Sequence, residues 1–125
     1  MKYKLTKNKK TINEITLYQI EALKDFSNIK KGDLGGWIEK ESNLSHLGDC
    51  WVSGSAIVSG NAWVSSNAIV SGNAIVSGNA IVSGNAWVSC RARVYGDVWV
   101  YGRARVSGDV WVSGRARVCD NAIIN

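Results

Sequence analysis

Residues Ser71 to Val88 read SGNAIV SGNAIV SGNAWV, one six-residue phrase written three times without a gap. The phrase extends in both directions. Valine stands at position 52 and at every sixth position through Val118, and Ile124 closes the series. Two positions before each valine is a small residue, mostly alanine, with Cys50, Val98 and Val110 as variants. The residue between them is large: Trp51, Ile57, Trp63, Ile69, Ile75, Ile81, Trp87, Arg93, Trp99, Arg105, Trp111, Arg117 and Ile123. Successive side chains of a strand point to opposite faces, so small–large–valine reads as in, out, in. The intervening Ser-Gly-Asn or Tyr-Gly-Asp is turn chemistry, because Gly and Asn accept a positive φ that other residues resist.

A bend every six residues folds the chain into a triangular coil of three short strands that closes every eighteen. Coils stacked at about 4.8 Å make roughly four turns, a prism about 20 Å tall. Residues eighteen apart then lie one above another. The outward columns become Trp51-Ile69-Trp87-Arg105-Ile123, Ile57-Ile75-Arg93-Trp111 and Trp63-Ile81-Trp99-Arg117. Each outward arginine neighbours a tryptophan, a cation–π arrangement. At the corners the same register stacks Arg91 on Asp109 and Asp97 on Arg115 as ion pairs. It also sets Asn61 over Asn79 and Asn67 over Asn85 as amide ladders.

This phrase resembles that of the hexapeptide-repeat, left-handed parallel β-helix family, over residues 48–125. The fold expected is therefore all-β, a left-handed parallel β-helix, with residues 1–47 as a capping segment. The entry stretch GDLGGWIEKESNLSHLGDCWV resembles that of a group of phage and prophage β-helix proteins of unknown activity. That resemblance implies a phage or prophage setting, and the outward tryptophans make the expected role there non-enzymatic binding or assembly. It also carries an anti-defence alternative, in which the protein sequesters a host nucleotide signal or blocks a defence complex.

Residues 1–47 hold every lysine and no arginine. Thr11-Ile12-Asn13-Glu14 has the form of a helix capping box, while Thr16 to Leu23 alternates like a strand. The phage resemblance favours the strand. Leu44 and His46 fall in the inward register, and the segment is expected to close one end of the stack. At the other end the chain stops at Ile123-Ile124-Asn125 inside a regular hexad, and open strand edges there would invite docking.

No window offers the apolar length of a membrane span, and the lysine-rich start leads into polar residues, so a cytoplasmic protein is expected. Three irregularly spaced cysteines write neither a disulfide framework nor a metal site, and no cofactor is implied. From Cys50 to Cys90 there is no charged residue at all. The outward Trp51, Trp63, Ile69, Ile75 and Ile81 of that stretch, with Ile123 and Ile124, are expected to be covered by self-association into a homo-oligomer. A sharper version makes Trp87 with Arg105, Trp99 with Arg117 and Trp111 with Arg93 ligand-reading steps for a nucleotide or a host protein.

An acyltransferase, which the repeat family includes, is disfavoured. The single histidine, His46, reads as structural, and no loop breaks out of the coils to complete a site. Nucleic-acid binding is disfavoured as well. The Arg-Ala-Arg units at 91–93, 103–105 and 115–117 recur every twelve residues, land on different faces and form a belt where a groove is needed.

Overall fold

The computed structural model describes all of residues 1–125 and is a left-handed parallel β-helix of about five turns. The chain opens with an antiparallel hairpin, β1 (Tyr3–Ile12) and β2 (Ile15–Ala22). Strand β3 (Leu34–Ile38) pairs antiparallel with β2 on one side and parallel with the first face of the helix on the other. After a 3-10 turn at Glu41–Asn43, thirteen two-residue strands follow, one per hexad, from β4 (Trp51–Val52) to β16 (Ile123–Ile124). The Thr16 to Leu23 run is thus a strand, as its alternation indicates. No helix is long and apolar enough to cross a membrane.

The register predicted from the period is the register observed. The first face stacks Trp37, Ile57, Ile75, Arg93 and Trp111. A second stacks Trp51, Ile69, Trp87, Arg105 and Ile123. The third stacks Trp63, Ile81, Trp99 and Arg117. Backbone bonds of about one length tie each coil to the next, such as Trp63 N–H to Ala80 C=O at 2.9 Å. The inside is a column of alanine and valine, fully buried from Val52 to Val106 and opening at the last coil, where Val110 and Ala116 are half-buried, with Val98 bonded into the rung between Ala80 and Ala116.

The hexads themselves make about four coils; the entry segment supplies one more. Ile38 lies against Val58 and Leu44 against Val64, each a pairing of residues twenty apart. The spacing from Leu44 to Val52 is eight residues where the repeat uses six, and the two extra residues fall in Ser45 to Asp49. Leu44 therefore takes a valine position and is buried, while His46 is displaced from the inward register to a half-buried place on the rim.

Two corner expectations need correction. Arg91 and Asp109, and Asp97 and Arg115, make no ion pair; the one approach of a basic to an acidic side chain is His46 Nε2 to Glu41, at 3.7 Å. These side chains are wet, and an exposed pair contributes only about 0 to 1 kcal/mol, too little to order two mobile ends. The amide ladder forms on one corner alone. Asn61 donates to Asn79 at 3.3 Å and Asn79 to Asp97 at 3.2 Å, whereas Asn67 accepts the Asp49 N–H at 3.1 Å and does not bond Asn85.

The corners are left-handed in backbone. Gly78 has φ 69°, and a Cβ there would lie 2.8 Å from the Gly96 nitrogen of the next coil. Cys90 keeps a similar φ of 61° with a side chain. Gly78→Ala should therefore lower stability by more than about 1 kcal/mol in urea unfolding, while Cys90→Gly should be neutral or stabilising. Equal effects of the two changes would contradict the corner geometry.

Candidate functional site

The N-terminal cap is built from side chains that stand in for a missing coil. Within the stack, each corner and alanine carbonyl accepts an N–H from the coil before it, and on the second face Gly48 and Cys50 have no such coil. The Lys2 ammonium, almost fully buried, takes their place: Nζ donates to Cys50 O at 2.6 Å and to Gly48 O at 3.3 Å, and it lies 3.3 Å from Cys50 Sγ. At the next corner Asn43 Nδ2 donates to Ala62 O at 2.8 Å and Gly60 O at 3.2 Å. The Tyr3 hydroxyl reaches Leu44 O at 2.6 Å and Glu41 O at 2.7 Å. Burial holds the Lys2 ammonium below the usual lysine range and pushes the Cys50 thiol up.

His46 belongs to this cap. Its Nδ1 accepts the Lys2 backbone N–H at 3.1 Å, so the ring proton sits on Nε2. The Tyr3 ring stacks on the imidazole at 4.1 Å and 13°. Nε2 has no hydrogen-bond partner and lies 3.7 Å from a Glu41 carboxylate oxygen. The three cysteines are free, with Cys50 buried, Cys90 exposed and Cys119 half-buried, and no three His, Cys, Asp or Glu side chains gather as metal ligands would.

The three Trp/Arg steps form as the register requires. Arg105 lies 4.6 Å from the Trp87 ring centroid, Arg117 4.6 Å from Trp99, and Arg93 5.7 Å from Trp111. One step on each face keeps them apart, so they are three separate surface features. The Trp111 step sits in a hollow lined by Asn73, Arg91, Arg93, Asp109 and Trp111.

The faces are not equally open. Trp51, expected to meet a second molecule, is only 4% exposed. Phe26 packs edge-on against it at 5.3 Å and Tyr3 at 6.4 Å, so it anchors the cap and is closed to partners. On the first face the hairpin residues Ile12, Ile15 and Leu17 border Ile57 and Ile75, and Lys10 covers Trp37 at 4.4 Å. Trp63, Trp87, Trp99 and Trp111 remain 47, 43, 42 and 66% exposed, and Ile69, Ile75 and Ile81 are half-buried between their neighbours. Ile123 is exposed and Ile124 half-buried against the core.

Stacked coils of this register have known relatives. The repeat family described as YdcK beta solenoid repeat matches residues 68–84, 74–89 and 100–114. The chain is a β-solenoid repeat protein. A protein of Escherichia coli (strain K12) named "Uncharacterized acetyltransferase YdcK" is 37% identical over 57 residues, 40% of this chain. The matched stretch spans 18% of that protein's length and leaves most of the relative unmatched.

Nothing in the repeat marks Lys2, Tyr3, Glu41 and Asn43 as the residues of the cap. Burial and the neighbouring Glu41 push the Tyr3 phenol well above its ordinary range. The unfolded chain releases that proton near pH 10 while the folded chain keeps it, so folding stability should fall as pH rises above about 10. Tyr3→Phe should remove that part of the alkaline slope in thermal melts, at a cost of about 1 kcal/mol at neutral pH for the lost hydroxyl bonds. An alkaline slope unchanged in Tyr3→Phe would contradict this.

Proposed function

We propose that this protein is a non-enzymatic binding and assembly module that associates with further copies of itself through the flat faces of its β-helix. One observation carries the reading: four tryptophans on flat faces stay at least two-fifths exposed after the chain has folded. Tryptophan and arginine are among the residues most enriched at interface hot spots, and a monomer seldom leaves so much aromatic surface exposed. The columns are also rigid. The rungs of Trp63, Trp87 and Trp99 are bonded above and below, so little backbone entropy is lost when a partner docks.

Acetyl transfer enters through the name of the E. coli relative. What weighs against it is His46, whose Nδ1 lone pair is already taken by a backbone N–H and whose other nitrogen carries the proton, leaving no free lone pair for a general base.

A second reading rests on the hollow at Arg91, Arg93 and Trp111. Neither arginine has a carboxylate partner, and the indole is the most exposed of the six. A nucleotide would stack its base on Trp111 and place phosphate between the guanidiniums, which is the chemistry a nucleotide-sequestering protein requires.

Native mass spectrometry at micromolar concentration should find dimers or larger species, and a monomer throughout would sink the self-association reading. Titration with mono- and dinucleotides should quench tryptophan fluorescence in the wild type and not in Arg93→Ala if the second reading holds. No quenching at millimolar nucleotide would remove it.

A further inference from the structure

The three faces differ in what the cap leaves uncovered, and this singles out one of them. The hairpin borders the upper half of the first face, and Phe26 with Tyr3 closes the top of the second. The hollows on either side of Trp63 on the third face are lined by residues 41–48 and 61–67, with no contribution from the hairpin. This face presents Trp63, Ile81, Trp99 and Arg117 in one column, with Leu47 81% exposed beside Trp63 and Tyr101 packed edge-on against Trp99.

Charge is distributed unevenly along this column. At the Trp63 end the hollow holds Glu41, with the Lys40 ammonium drawn to Asn61 on its edge at 3.1 Å, and at the other end, three rungs or about 14 Å away, Arg117 lies over Trp99. Arg117 has no carboxylate at ion-pair distance, and Glu41 has only the long approach to His46. Two copies facing each other with their helix axes parallel would set Arg117 against Arg117. With axes antiparallel, a two-fold between Ile81 and Trp99 sets Arg117 of each copy against Trp63 and Glu41 of the other, and Ile81 against Trp99. An isologous contact of this kind needs a surface that is its own complement, and the third face is one.

We infer that the third face is a two-fold dimer interface, with a second copy of this chain as its occupant and the Arg117 to Glu41 contact made twice across it. This inference rests on the self-association reading and assigns it a face and a geometry. Each charge contact occurs twice, so reversing one residue introduces two repulsive pairs.

The test is sedimentation equilibrium of the full chain and of outward-facing variants whose fold is checked by circular dichroism. Arg117→Glu and Glu41→Arg should each weaken the dimer by about tenfold or more, and the double variant should recover most of that loss. Ile81→Glu should leave a monomer, while Ile69→Glu on the second face should leave the dimer intact. A dimer broken by Ile69→Glu and untouched by Ile81→Glu overturns the third-face interface and leaves self-association standing. Failure of the double variant to recover overturns the antiparallel pairing. A wild type that is monomeric at every concentration overturns both.

Discussion

One constraint organises the molecule: every residue of the coil must lie over its counterpart in the next coil, close enough for backbone N–H and C=O groups to meet. The bond from Trp63 N–H to Ala80 C=O and its equivalents on the other faces are possible only when each side has the same length and each corner turns through a left-handed residue. The repeat of Gly and Asn follows from the corners, and the repeat of alanine and valine follows from an interior too narrow for larger groups. Uncharged stretches are then no anomaly. Between Cys50 and Cys90 the backbone is satisfied within the stack, and order there does not need charge.

The same constraint explains the cap. A stack of parallel coils ends in carbonyls with no donor, and burying them unpaired costs about 1–3 kcal/mol each. Lys2 and Asn43 supply donors from side chains, and β2 supplies a paired edge for β3. Closing the end with the hairpin has a consequence for the outside, because the chain that seals the core also covers Trp51 and shades the first face. The cap thereby determines which aromatic surface is left over.

Most of the fold was legible in the sequence because the determinants recur: thirteen hexads state the same in–out–in pattern, and the pairing of Trp87 with Arg105 follows by counting. What the sequence hid is non-periodic. The two extra residues between Leu44 and Val52 carry no signal of their own, yet they move His46 from the inside to the rim. Lys2 reads as one more surface lysine among many, and only the meeting of the chain start with Gly48 and Cys50 makes it a buried donor. Trp51 is indistinguishable from Trp63 by position in its hexad, and the cover from Phe26 comes from a segment without repeats. The corner ion pairs failed for a different reason, since stacking brings Cβ atoms together but water decides where long exposed side chains end.

The claim at the centre of this account is that the cap and one self-complementary face divide the six tryptophans into distinct environments. Hydroxyl-radical footprinting with mass spectrometry, run from nanomolar to high micromolar protein, measures all six in one experiment. Trp51 should be protected throughout, Trp63 and Trp99 should become protected together as concentration rises, and Trp87 and Trp111 should stay reactive. Oxidation of Trp63 and Trp99 that does not change with concentration, or protection that appears at Trp87 and Trp111 in their place, would contradict it.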